Sequence, residues 1–111
     1  MNAVYTQKKV FEMEKKIKDN LKEVMDPETG VSIVDMGFIY DIHLDGKKAD
    51  ITMTLTTPGC PLHKSFVEQV EEKTLEIEGI EEVEVETVFD PPWQPEMMSE
   101  RAKKKLGYTK D

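Results

Sequence analysis

The chain of 111 residues contains a single cysteine, Cys60, so no disulfide can form within it, and any role for sulfur falls on one thiol. Bases are scarce beside acids, 15 against 23, and the net charge of −8 argues against binding nucleic acid through its phosphates. An anionic membrane surface is disfavoured for the same reason. Apolar runs of about 20 residues are missing, as is the pattern of a secretory signal, so neither a membrane span nor export is expected. Low-complexity tracts and internal repeats are missing too. A cytoplasmic, reducing location is the resulting expectation. The length fits one domain, residues 1–111 with a core from about 8 to 107, able to bury roughly two thirds of its unfolded surface.

Within that frame the sequence concentrates its chemistry in Thr56-Thr57-Pro58-Gly59-Cys60-Pro61. Before it, Ile51, Met53 and Leu55 alternate with Thr52, Thr54 and Thr56, the period of a half-buried strand. After it, Leu62, Phe66, Val70 and Ile77 fall on one side of a helix expected to begin at Pro61 and run to about Glu78. Cys60 is then the N-cap. An N-cap side chain faces the unpaired N–H groups of the first turn and the positive end of the helix dipole, which favours thiolate. Gly59 lets a ligand approach closely.

The remaining chain reads as support. Val10, Met13, Ile17, Leu21 and Val24 form the apolar stripe of a helix expected from Lys8 to Met25, after a loose start over about six residues. Asp26-Pro27-Glu28-Thr29-Gly30 is a tight turn with two carboxylates. Val31 to Leu44 reads as one long strand with Met36, Phe38, Tyr40, Ile42 and Leu44 on one face. Asp45-Gly46 signals a hairpin into the strand that begins near Ile51, in one of two registers: Ile42 opposite Ala49, or His43 opposite Asp50. Gly79 suits a helix C-cap, and Val83, Val85 and Phe89 mark a third strand with an acidic outer face, parallel to the second because a helix connects them. Asp90-Pro91-Pro92-Trp93-Gln94-Pro95 is a stiff connector in which Trp93 either covers the core or roofs the cysteine. A short last helix is expected from Pro95 to about Leu106, ended by Gly107.

Four stretches in this order resemble the SufT/PaaD-like family of metal-sulfur cluster biosynthesis proteins. They are Asp26-Pro27-Glu28, Ile33-Val34-Asp35-Met36-Gly37-Phe38-Ile39-Tyr40, Met53 through Pro61, and Phe89-Asp90-Pro91-Pro92-Trp93 leading to Met97-Met98-Ser99-Glu100. The resemblance runs from about Phe11 to Gly107. It implies a small α/β (α+β) domain of order α-β-β-α-β-α, with helices packed on a three-stranded mixed sheet. It also implies a part in maturing iron-sulfur clusters or delivering them to clients, with Cys60, Thr56, Thr57, Asp26 and Glu28 at the family's site positions. Members are also labelled as components of aromatic ring hydroxylation, through similarity to a subunit of the phenylacetyl-CoA oxygenase system.

Three functions follow as expectations. In the first, an accessory factor and not an enzyme uses Cys60 as a transient thiolate ligand for iron or an iron-sulfur cluster, since thiolate is the soft ligand these select. One cysteine is too few for a cluster, so further ligands come from a partner or from Asp26, Glu28 and His63, and no tightly bound cofactor is expected in the isolated protein. Partners are then iron-sulfur assembly proteins, apo-client proteins or a second copy of the chain, with no nucleic acid and no membrane. In the second, the chain is a non-catalytic adaptor of an oxygenase. In the third, a thiol enzyme uses Cys60 as nucleophile with His63 or Asp35 as base.

Overall fold

The computed structural model describes residues 3–56 and 63–108, with side chains from residue 8 onward. Helix α1 spans Ala3–Leu21, longer at its start than the apolar stripe suggests and four residues shorter at its end. It stops at Leu21 because Val24 is drawn into the core, where its carbonyl accepts from Ile33 N–H at 2.9 Å. That contact begins a two-stranded antiparallel ribbon that the sequence did not announce, β1 (Met25–Asp26) against β2 (Val31–Ser32), with the Asp-Pro-Glu turn as its tip.

The long strand expected over Val31–Leu44 does not exist. Residues 33–37 form a compact turn, with Met36 N–H donating to Ser32 O at 2.9 Å and Phe38 N–H to Ile33 O at 3.0 Å, and β3 is only Ile39–Asp45. Strand β4 (Lys48–Met53) pairs antiparallel with β3, and the register is the one that sets His43 opposite Asp50 and Asp45 opposite Lys48. Gly46 has φ 61° and is followed by Lys47 at negative φ, the pattern of a type II′ turn that needs glycine first. A bulge between Ile39 and Asp41 then shifts the ladder, so Ile39 faces Met53.

Helix α2 is described over His63–Leu75; Pro61, and with it the expected N-cap at Cys60, lies outside the described residues. Strand β5 (Glu82–Thr87) lies parallel to β4, as the helical crossover requires, and the sheet order is β3-β4-β5. The expected last helix is two pieces, a 3₁₀ turn at Pro95–Met97 and α3 at Glu100–Leu106. Ser99 caps α3 by accepting from Ala102 N–H, and Gly107 ends it in the left-handed region.

Both long helices cover one face of the sheet: α1 packs on β3, α2 on β5, and the two on each other. Between them Ile17, Leu21, Ala49, Ile51, Met53, Phe66 and Val70 are buried almost completely. Asn20 joins the helices by donating to Lys73 O at 2.6 Å. The other sheet face carries Asp41, His43 and Asp45, then Lys48, Asp50 and Thr52, then Glu82, Glu84 and Glu86, and is open. The α+β outline that the resemblance implies therefore holds: among the described residues there are three α-helices and a three-stranded mixed sheet, plus the small ribbon.

Candidate functional site

The parallel strands β4 and β5 end on the same side, and in open α/β sheets that rim is where ligands are met. Beyond β4 the chain stays pinned: Thr54 is buried and its N–H donates to Phe38 O at 2.8 Å, while Met53 O accepts from Val88 N–H at 2.8 Å. Thr56 emerges exposed. Residues 57–62, among them Thr57 and Cys60, lie outside the described residues. The chain resumes at His63, exposed at the start of α2, whose Nε2 is 2.9 Å from the Thr87 hydroxyl at the end of β5.

The turn at 33–37 joins this rim to the other loops. Its Met36 carbonyl accepts from the Trp93 indole N–H at 2.6 Å, and Trp93 rests edge-on against Phe38 with ring centroids 5.8 Å apart. Trp93 is thus half-buried and covers the core next to the rim, while the cysteine it was also expected to roof lies outside the described residues. Gly37, at φ 80°, lies so close to Met97 that a Cβ would collide with the Met97 carbonyl. The Asp35 carbonyl accepts from Ser99 N–H at 2.8 Å, which fixes the start of α3. Tyr40 donates its hydroxyl to Pro91 O at 2.8 Å and stands 3.5 Å from Met97 Sδ. The proline-rich segment is therefore a strap, held at Met36, Gly37 and Tyr40 together.

The carboxylates fall into distinct situations. Asp26 is buried, and both its oxygens serve its own loop: Oδ1 accepts from Glu28 N–H at 3.1 Å and Oδ2 from the Thr29 hydroxyl at 3.2 Å. The same hydroxyl stands 3.8 Å from Met36 Sδ, which ties the Asp-Pro-Glu tip to the joining turn. Glu28 is exposed. Asp35 accepts from the Ser32 hydroxyl at 3.3 Å and fronts a groove of about 170 Å³ lined by Lys22, Met25, Arg101 and Lys105, a lining that includes neither Thr56 nor His63. Among the described residues no three His, Cys, Asp or Glu side chains converge as a ready metal site. The structure thus brings Thr56 and His63 to one rim and ties the Asp26 loop to the same joining turn, while Asp35 faces α3.

Sequence reasoning missed three participants: Thr87, Tyr40 and the Met36 carbonyl. Tyr40 and Met36 stood within a motif already singled out, but only the bulge and the turn show what their polar atoms do. Thr87 gave no signal, being an ordinary strand residue 24 positions from its partner His63.

Comparison with known proteins adds an independent line. The family model described as "Iron-sulfur cluster assembly protein" matches residues 14–87. The chain is 41% identical over 100 residues to the Fe-S protein maturation auxiliary factor YitW of Bacillus subtilis, covering 86% of this chain and 98% of that protein. It is 41% identical over 85 residues to the Fe-S protein maturation auxiliary factor SufT of Staphylococcus aureus, covering 76% and 97% respectively. Among solved structures, a domain of unknown function, DUF59, from Bacillus anthracis superposes with a TM-score of 0.84 at 40% identity, covering 93% of this chain and 99% of that one.

Proposed function

The chain belongs to the iron-sulfur cluster assembly protein family, and on that premise we propose that it is an accessory factor in maturing iron-sulfur proteins, with the Cys60 thiolate as a transient ligand for the cluster it helps build or deliver. The observation that carries this reading is the placement of the single cysteine within a short segment that leaves a pinned β4 and returns at the start of α2, where helix N–H groups favour an anion. The cluster is cargo. It needs about four ligands, and one thiolate leaves the others to an assembly protein or an apo-client, so the cluster is bridged between chains and passes on readily. The exposed Glu28 and the hydroxyls of Thr56 and Thr57 are the hard donors nearest in role; Asp26 acts through the loop that presents Glu28. His63, hydrogen-bonded to Thr87, helps hold the start of α2 and is a secondary donor. The cytoplasm suits this work, since a reducing compartment keeps the thiol free. No geometry of the described residues favours the oxygenase-adaptor or thiol-enzyme alternatives.

Anaerobic reconstitution with iron and sulfide tests the proposal by comparing the wild type with Cys60→Ala. Visible absorption should show cluster uptake in the presence of an apo-client, and transfer to that client should fall at least tenfold in the variant. Equal uptake and equal transfer by both proteins would remove Cys60 from the mechanism.

A further inference from the structure

The sheet has two edges, β3 and β5, and the sequence treats them differently. Strand β5 presents Glu82, Glu84 and Glu86 on the open face, so a second β5 laid against it would set carboxylate against carboxylate. Strand β3 presents Asp41, His43 and Asp45 there, an acid-imidazole-acid alternation.

The type II′ turn decides which backbone groups of β3 are already used. Asp45 and Lys48 flank the two-residue turn as a hydrogen-bonded pair, so His43 and Asp41 also bond to β4 by alternation. The N–H and C=O groups of Ile42 and Leu44 then point away from the sheet, and among the described residues β4 is the only strand paired with β3. Along this same edge Phe11 of α1 stands 69% exposed, the most exposed of the large apolar side chains described. With Glu14, Lys15 and Lys18 it walls a cavity of about 360 Å³ whose other side is Ile39–Ile42.

We propose that a second copy of this chain docks antiparallel along β3, with the two-fold axis at Ile42, so that the two sheets become one of six strands. Ile42 is the middle residue of the seven in β3, so this register pairs the whole strand with itself. It places Tyr40 opposite Leu44 of the other copy and, on the open face, Asp41 opposite His43 twice over. An imidazole N–H across from a carboxylate can donate to it, whereas like charges directly across oppose pairing. A two-fold one residue along, at His43, would instead oppose Asp41 to Asp45. One at Leu44 would run the pairing into Gly46 and Lys47, which are committed to the turn. The axis at Ile42 also lays the two Phe11 cavities side by side, with acid and lysines on each wall available to the other copy.

Sedimentation of the intact chain under reducing conditions should show a concentration-dependent dimer. His43→Asp should weaken association by about tenfold, two imidazole–carboxylate pairs becoming two carboxylate–carboxylate pairs, and Asp41→Lys combined with His43→Asp should restore it. Both positions are exposed, and unchanged circular dichroism would show that the fold persists. Register is read in a Cys60→Ser background: a mixture of Asp41→Cys and His43→Cys proteins should form a disulfide heterodimer under mild oxidation, because directly opposed residues lie within disulfide reach. A monomer at every concentration would overturn the proposal. So would cross-linking of His43→Cys to itself in place of the mixed pair.

Discussion

Replacing Gly37 with alanine probes the joint on which the strap and the rim both depend. Two costs add. An L-residue held at φ 80° costs about 1–2 kcal/mol relative to glycine. The new Cβ would also strike the Met97 carbonyl, which cannot yield alone, because the surrounding 3₁₀ turn is closed by Met97 N–H to Gln94 O at 2.9 Å and Met98 N–H to Pro95 O at 3.1 Å. Forcing atoms into a packed site costs typically about 1–3 kcal/mol, so the total should be near 3 kcal/mol, a large share of a small domain's stability. Gly107→Ala is the matched control: φ is 81° and ψ 22° there, ordinary left-handed backbone, and nothing lies within 4 Å of the added carbon, so only the conformational cost of about 1 kcal/mol applies. In urea, where small proteins lose about 1–3 kcal/mol per molar, the Gly37 variant should unfold roughly 1 M below the Gly107 variant. Fluorescence of Trp93, the only tryptophan, should shift to the red in folded Gly37→Ala and stay unchanged in Gly107→Ala. If the two variants unfold within about 0.3 M of each other and share one emission maximum, the strap is not seated on the joining turn.

Asp26→Ala removes the acceptor for Glu28 N–H and the Thr29 hydroxyl and should cost about 1–2 kcal/mol in urea unfolding, whereas Asp26→Asn, which still accepts, should recover most of it. An asparagine variant as unstable as the alanine one would mean that charge, not the turn's hydrogen bonds, is what Asp26 supplies. On the open face, Asp50 first, then Glu84 and Glu82, hold the Lys48 ammonium above its ordinary value of 10.5. A base whose folded value is raised stabilises fully below the unfolded value, and the contribution is lost as pH climbs through the folded one. The thermal stability of the wild type relative to Lys48→Met should therefore hold through neutral pH and shrink above 10.5. Because Lys48 and Asp50 are half-exposed and Glu82 and Glu84 exposed, added salt should also narrow the gap. A gap that widens with rising pH would show that Lys48 does not act through its charge, even though its ammonium is the nearest counter-ion, at 3.6 Å, to an Asp50 Oδ1 that makes no hydrogen bond.

What could be read from the sequence divides along the line between periodic and irregular structure. The α1 stripe, the Asp45-Gly46 hairpin and the parallel β4-α2-β5 unit all follow from local pattern, because in each a repeating apolar face meets a single core. The turn at 33–37 was hidden by the same device. Met36, Phe38 and Tyr40 alternate like strand residues, yet Met36 and Phe38 are buried on either side of a reversal, and Tyr40 belongs to the bulge. A bulge adds one residue and flips the parity without altering composition, so no count of apolar positions reveals it. Of the candidate site, the sequence proposes residues but not the bonds they make. Asp26 as a possible ligand and Asp35 as a possible base both carry local bonds, the first with Glu28 and Thr29 and the second with Ser32.

On the proposed reading these commitments matter, because a chain that passes on a cluster must hold it firmly enough to receive it and loosely enough to release it. The described parts of the rim contribute to the first requirement: Thr54 is fixed by Phe38, Met53 by Val88 and His63 by Thr87, so both ends of the segment bearing Cys60 are anchored to the sheet. The second requirement is met by number. On the proposed reading, a single thiolate cannot complete a cluster's coordination by itself, so the completing ligands would belong to whichever protein is docked, and release would follow when a client offers more of them. A second cysteine placed in the same segment would therefore be expected to retain the cluster and slow its delivery.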